Sequence, residues 1–243
     1  MSISFQKSRS SNPTAVASSL QTSRSSHPLD SLLEAISQYN VLVVGDGIVD
    51  EYHYVKPLGM SPKEGIVTMR YLEAESFAGG VWAAARHLES FCKSVAVATS
   101  SKFTIKRRFV EPSKVRKMAE VHIEQETKAE LDTPVYGDFD VVIAADFGHG
   151  CITQGMIERM TNEARFLAVN AQTNSANGGF NLITKYRAAD YVVLDELEAR
   201  LAAHDRDSPI EAVIEKLSYP KIVVTLGHKG AIGYDGEFHH APM

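Results

Sequence analysis

The run Val41–Val44 contains no polar residue that could turn toward water. A strand reads this way when helices cover both faces of its sheet, as they do in parallel sheets. "FDVVIAADFGHG" repeats the pattern, and "RFLAVNAQ", "ADYVVLD" and "KIVVTLG" supply further strands. Between them lie segments of helical spacing: "LDSLLEAISQY", "GGVWAAARHLESF", "ITQGMIERMTNEA", "ELEARLAAH" and "SPIEAVIEKLS". The last is expected to begin with Ser208 as N-cap and Pro209 in its first turn. Buried strands alternating with helices specify an α/β fold, a doubly wound and mostly parallel sheet flanked by helices. Three stretches break the rhythm. "IVTMRYLEAESF", "FTIKRRFVEP" and "RKMAEVHIEQ" alternate polar with apolar residues, as strands with one wet face do.

A chain of 243 residues suits one large domain or two small ones. Its net charge of −5 gives no electrostatic case for nucleic acid or an anionic membrane. No apolar run approaches the roughly 20 residues needed to span a bilayer. Cys92 and Cys151 lack metal-ligand or CxxC spacing and read as free thiols of a cytoplasmic protein. Residues 1–28 differ from the rest, being Ser-rich, carrying Lys7, Arg9 and Arg24, and containing no acid. They have no secretory h-region. A transit peptide has such a composition, but a disordered tail or interdomain linker is the expectation. The fold is read from residues 29–243.

In open α/β sheets, ligands bind beyond the carboxyl ends of the strands. That rule gathers Asp46, Asp50, Asp146, Asn170, Asp195, Glu198, Thr225 and Gly227 along one rim. Asp46 and Asp50, in "VLVVGDGIVD", suit sugar hydroxyls as acceptors; the bland alternative is a turn cap and a solvated acid. Gly79 and Gly80 open a helix and admit a ligand to its backbone, or merely form a tight entry loop. Lys106 and Arg108 share one face of a strand, where two cations repel unless an anion lies between them. A solvated edge strand uses the same charges against aggregation. Asp146 either orients a substrate or starts a turn, and His149, between two glycines, is expected to be exposed. Asp195 and Glu198, three apart at a strand–helix junction, suit a water-mediated magnesium site or a plain acidic helix start. Thr225-x-Gly227-x-x-Gly230 suits a loop near a nucleotide or a hairpin turn.

Taken in order, G-D-x-x-x-D, a GG-opened helix, K-x-R, D-F-G-x-G, D-x-x-E and T-x-G-x-x-G resemble the ribokinase (PfkB-type) carbohydrate kinase family. "VLVVGDGIVDEYHY", "SPKEGIV", "FAGGVWAAARHL" and "VIAADFGHGCIT" are most similar to heptose 7-phosphate kinases of ADP-heptose biosynthesis. The resemblance implies a ribokinase-like fold with a small β lid, its strands at about 54–75 and 103–125. It implies that Asp50, Gly79 and Gly80 bind the sugar and that Asp46 supports their loop. Lys106 and Arg108 would hold the sugar's phosphate, and Asp146 would belong to the substrate site. Asn170, Thr225, Gly227 and Gly230 would line the nucleotide site. Glu198, with Asp195 where the family has Asn, would organise Mg2+ through water. ATP is the implied phosphoryl donor, the lid the implied homodimer contact, and a nucleotidyltransferase the implied fused or separate partner.

The family's Gly-Ala-Gly-Asp turn, which stabilises transferring charge and supplies the general base, occurs nowhere in the 243 residues. A general base contributes about 10²–10⁴-fold, so these residues by themselves are expected to be nearly inactive. Two readings therefore stand. One is an ATP-dependent kinase domain acting on a phosphorylated sugar, most closely at O1 of a heptose 7-phosphate. The other is a non-catalytic relative, a dimeric scaffold that binds sugar or nucleotide. A nicotinamide-dependent Rossmann enzyme fits poorly, since "GDGIVD" is not GxGxxG and no acid sits at the right place on a following strand.

Overall fold

The computed structural model describes residues 28–126 and 134–243. The Ser-rich segment up to residue 27 lies outside the described residues; Pro28 already opens the first helix. Two sheets make up the fold. The larger has eight strands, five of them formed by the apolar runs read above. β1 (Asn40–Gly45) lies between β4 (Ser94–Ala98) and β7 (Val141–Asp146), parallel to both. β8 (Leu167–Ala171), β9 (Tyr191–Asp195) and β10 (Ile222–Thr225) follow in parallel order beyond β7. β11 (Ala231–Tyr234) and β12 (Phe238–Ala241) close that side in antiparallel pairing. The chain leaves β1 toward β4 and later resumes on the other side with β7. The switch point of the doubly wound sheet thus falls between β1 and β7.

Period-two alternation decides which side each residue of β1 serves. Leu42 and Val44 enter a large core with Ile157 and Met160 of α3 (Gln154–Glu163), Ala199 of α4 (Glu196–Ala203) and Ile214 of α5 (Ile210–Leu217). Val41 and Val43 face the other way, against Val81 and Ala85 of α2 (Val81–Leu88). α1 (Pro28–Ile36) precedes β1, with Asp30 in its first turn as expected. α5 begins one residue later than its sequence suggests: Pro209 flanks the helix, and neither it nor Ser208 caps it with a side chain. Ser208 instead donates its backbone N–H to Asp205 Oδ1 at 3.1 Å, so it belongs to the preceding turn.

The second sheet has four strands in the order β3 (Val67–Gly80), β2 (Gly47–Met60), β5 (Lys102–Glu111), β6 (Arg116–Glu126). β2 starts at Gly47, with only Asp46 separating it from β1. Asp50 therefore sits on a strand rather than in a loop. "GIVDEYHYV" is rich in β-branched and aromatic residues and pairs directly with β5 from Gly47 onward, which extends the strand seven residues upstream of its expected start. Of the described residues, no helix is long and apolar enough to cross a membrane.

Candidate functional site

The two sheets meet at the carboxyl ends of β1 and β7. Asp46, the link between β1 and β2, is buried, and its carboxylate ties down the segment after β7. Oδ2 accepts the Phe147 N–H and Oδ1 the Cys151 N–H, each at 2.9 Å. Asp46 is thus the support of the loop rather than an open acceptor. Asp146 is also buried and fully engaged. Gly148 N–H, Asn181 Nδ2 and the Tyr186 hydroxyl donate to it at 3.2, 3.0 and 2.7 Å, and Lys185 Nζ stands 2.5 Å away. Its partners Asn181, Lys185 and Tyr186 come from a segment 35–40 residues downstream, which nothing around Asp146 announces.

Asp50, by contrast, stands on the face of the second sheet that looks toward this junction. The pairing puts Asp50 beside Lys106 on β5, and Lys106 beside His122 on β6. One register step outward lie Tyr52, Arg108 and Glu120; one step inward lie Ile48, Thr104 and Glu124. The shared face of Lys106 and Arg108, expected from alternation, is the face that carries Asp50. Gly79 is where Asp50 needs space: a Cβ there would lie 2.2 Å from Asp50 Oδ2. Gly80 flanks α2 at φ 57°, and a Cβ on it would meet the Asp46 carbonyl oxygen at 2.3 Å. Trp82 packs edge-on to Phe103 at 6.1 Å under this corner, among the residues of the smaller core.

The two cations differ. Arg108 donates to Asp50 Oδ1 through Nη1 and to Glu120 Oε2 at 2.7 Å through Nε, and it lies over the Tyr52 ring. Burial opposes its charge, but these two carboxylates outweigh that and hold its pKa above the ordinary arginine value. Lys106 is only 9% exposed and makes no hydrogen bond or ion pair with any described residue. Burial holds its pKa below the usual lysine range, against the pull of nearby Glu120 and Asp50.

His149 departs from expectation. It is half-buried, with Nδ1 3.2 Å from the Thr104 hydroxyl and its ring 6.2 Å from that of His122. Its Nε2 is buried with no partner. Burial, aided by Lys106, holds its pKa below the usual histidine range. His122 sits 2.6 Å from Glu120 Oε1 through Nε2. The pattern Glu120-x-His122-x-Glu124 carried the period-two signal that could have added His122 to the site. A cavity of about 240 Å³ opens at the inner end of this face, lined by Asp46, Gly47, Lys102, Phe103, Thr104, Glu124, His149 and Gly150.

The remaining candidates lie along the same rim. β1, β7, β8, β9 and β10 are consecutive neighbours, so their carboxyl ends span about 19 Å at about 4.8 Å per strand. Asn170 on β8 donates through Nδ2 to the Val193 carbonyl at 2.9 Å, extending the ladder to β9. Asp195 caps α4 in a reciprocal box. Its Oδ1 accepts the Glu198 N–H at 2.7 Å, and Glu198 Oε2 accepts the Asp195 N–H at 2.8 Å. Glu198 Oε1 accepts the Thr173 N–H at 3.0 Å, so both of its oxygens are occupied by backbone. Burial raises its pKa, with the neighbouring Asp195 charge adding to the effect against those backbone hydrogen bonds. Each Glu198 oxygen thus already accepts a backbone N–H, whereas exposed Asp195 keeps one oxygen with no partner among the described residues. Thr225 lies across from Asp195 on β10. Gly227 follows at φ 59°, with open space where a Cβ would stand. Gly230 serves packing instead, since a Cβ would meet the Ala241 carbonyl oxygen at 2.0 Å.

No family model matches the sequence, and no curated protein matches it. Solved structures do match in shape. Ribokinase from Thermotoga maritima is similar at a TM-score of 0.58 and 14% identity, over 84% of this chain and 77% of that one. Arabidopsis thaliana ribokinase, solved with ribose and ATP, gives 0.54 and 12%, over 85% and 78%. An archaeal member of the ribokinase family, the Methanocaldococcus jannaschii nucleoside kinase, gives 0.52 and 12%, over 84% and 76%. The architecture is therefore the ribokinase-like α/β fold, and its structural neighbours are carbohydrate and nucleoside kinases.

Proposed function

We propose that this chain carries the acceptor and nucleotide sites of an ATP-dependent sugar kinase of the ribokinase type. Its acceptor is a phosphorylated sugar, and its finest reading is a heptose 7-phosphate taking the phosphoryl group at O1. The observation that carries this is Lys106, a cation only 9% exposed that makes no ion pair with a described residue, paired across the strands with Asp50. A neutral sugar needs no such charge; a sugar phosphate does.

In this reading Asp50, pinned by Arg108, accepts sugar hydroxyl protons, and Gly79 and Gly80 let the ring approach the backbone. Asp46 and Asp146 work through the segment they tie down. Thr225 and Gly227 bind the nucleotide at the far end of the rim. Asn170 and Gly230 shape that end from behind. Magnesium would neutralise the triphosphate. The residues here fit a metal held by the nucleotide and reached through water by Asp195, while Glu198 holds Asp195 in place. Phosphoryl transfer depends on positioning and charge stabilisation, so a rim that holds both ligands in line does much of the work.

No residue of this chain is assigned as the base, because the 243 residues contain no Gly-x-Gly-Asp turn. The second reading is a non-catalytic sugar- or nucleotide-binding scaffold. The four-stranded sheet is read as a lid and dimer contact, with exposed Tyr71, Leu72 and Val121 as its apolar surface. A nucleotidyltransferase is the expected fused or separate partner. The cytoplasm is the setting in which the free thiols of Cys92 and Cys151 stay reduced.

Calorimetry with ATP and with sugar phosphates, followed by a turnover assay, tests the proposal. Binding of both with transfer supports the kinase, and binding without transfer supports the scaffold. Binding of neither overturns both.

A further inference from the structure

The acceptor cleft contains two complementary deficits. Lys106 is a cation only 9% exposed, with no protein acceptor among the described residues. His149 Nε2 is a buried ring nitrogen with no partner, on the opposite side of the ring from its contact with Thr104. The second is costly alone, because a buried polar atom without a partner loses its hydration and gains nothing in return. His122 adjoins both, paired with Lys106 across the strands and ring-to-ring with His149. With Nε2 on Glu120, its Nδ1 makes no hydrogen bond to a described residue.

We propose that Lys106, His122 and His149 form a three-point socket for a tetrahedral oxyanion, the phosphate monoester of the acceptor, and that filling it draws a proton onto the imidazoles. The inference rests on reading this cleft as the acceptor-sugar site. It adds the residues that recognise the ester and predicts that recognition depends on pH.

The surrounding charges support it. Asp50 and Arg108 offset each other, Glu120 is shared between Arg108 and His122, and Asp46 is occupied by two backbone N–H groups. Glu124 is exposed and Lys102 lies at the strand's start, both on the cavity wall. Burial and Lys106 hold His149 toward its neutral form, against Asp46 and Glu124. An arriving anion reverses that balance. The protonated ring donates from Nε2 to the anion and from Nδ1 to the Thr104 oxygen, and His122, protonated beside Glu120, donates from Nδ1. The proton comes from solvent, and no bond to carbon or phosphorus changes.

Sulfate is the probe, because it keeps both charges through this window, so any pH effect belongs to the protein. Calorimetry on the purified chain should show sulfate binding about tenfold tighter near pH 6 than near pH 8, with proton uptake visible in the buffer dependence of the heat. His149→Gln should remove that difference, and Lys106→Gln should abolish binding at both pH values. Without any substitution, NMR of the histidine rings should show the His149 and His122 titration midpoints rising when sulfate is added. Equal affinity at the two pH values, unchanged pH dependence in His149→Gln, or unmoved midpoints overturns the socket. If those failures occur while sugar and nucleotide still bind, the kinase reading stands without the socket. If sulfate behaves as expected but neither sugar nor nucleotide binds, the socket stands and the kinase reading falls.

Discussion

The two ends of the rim treat their charged groups in opposite ways. At the β9–β10 end, Glu198 spends both oxygens on backbone N–H groups and Asp195 spends one, so the acids build a helix start. At the β1–β2 end, Asp46 is consumed in the same fashion, but His149 Nε2 is buried without a partner and Lys106 makes no ion pair with a described residue. Acids at strand ends look alike in a sequence. What separates scaffold from site is whether the protein has already supplied the partner. A saturated group holds shape; an unsatisfied buried group marks where something else belongs.

The largest expected effect tests the saturated class. Asp146→Ala strips the buried Tyr186 hydroxyl of its acceptor and leaves Lys185 with Asn181 Oδ1 but no carboxylate, and should cost about 3 kcal/mol in denaturant unfolding. A change below about 0.5 kcal/mol would mean that this network is ornamental. Asp50→Ala should weaken acceptor binding about 100-fold while leaving nucleotide affinity unchanged, since a charged hydrogen-bond partner contributes about 1.5–3 kcal/mol. Equal losses for both ligands by calorimetry would erase the distinction between the two ends. Glu198→Gln keeps one acceptor of the capping box and should lower stability by about 1 kcal/mol. If nucleotide affinity in the presence of magnesium collapses instead, Glu198 touches the metal more directly than its hydrogen bonds indicate.

The smallest effects run the other way. Lys106→Met should raise the stability of the ligand-free chain at neutral pH by about 1 kcal/mol, because it removes an uncompensated charge, while sulfate binding is lost. His149 adds a pH signature. Its folded pKa lies below the unfolded value of about 6.5, so the unfolded chain binds more protons in acid. The stability this group contributes is therefore complete above pH 6.5 and declines as the pH drops through that value. Melting temperature followed downward from neutral pH should show the decline in the wild type and less of it in His149→Gln.

Much of this was legible before any coordinates. Unbroken apolar runs announced the parallel strands, and the carboxyl-edge rule placed Asp46, Asp146, Asp195 and Thr225 on one rim. Alternation alone put Lys106 and Arg108 on one face. Three things were hidden, each for a physical reason. Asp50 was assigned to a loop because nothing local marks where a strand begins when two strands abut. The occupants of Asp146 lie 35–40 residues away, and their meeting is a property of the packed fold. His149 was taken as exposed because glycine neighbours imply an open turn, whereas β5 of the other sheet comes to cover it.

Three of the links between the two sheets are short. A single residue, Asp46, joins β1 to β2, Gly80 passes directly into α2, and residues 99–101 join β4 to β5. Tethers of this length restrict how far the smaller sheet can shift at that edge, and the shortest of them, Asp46, also anchors Phe147 and Cys151.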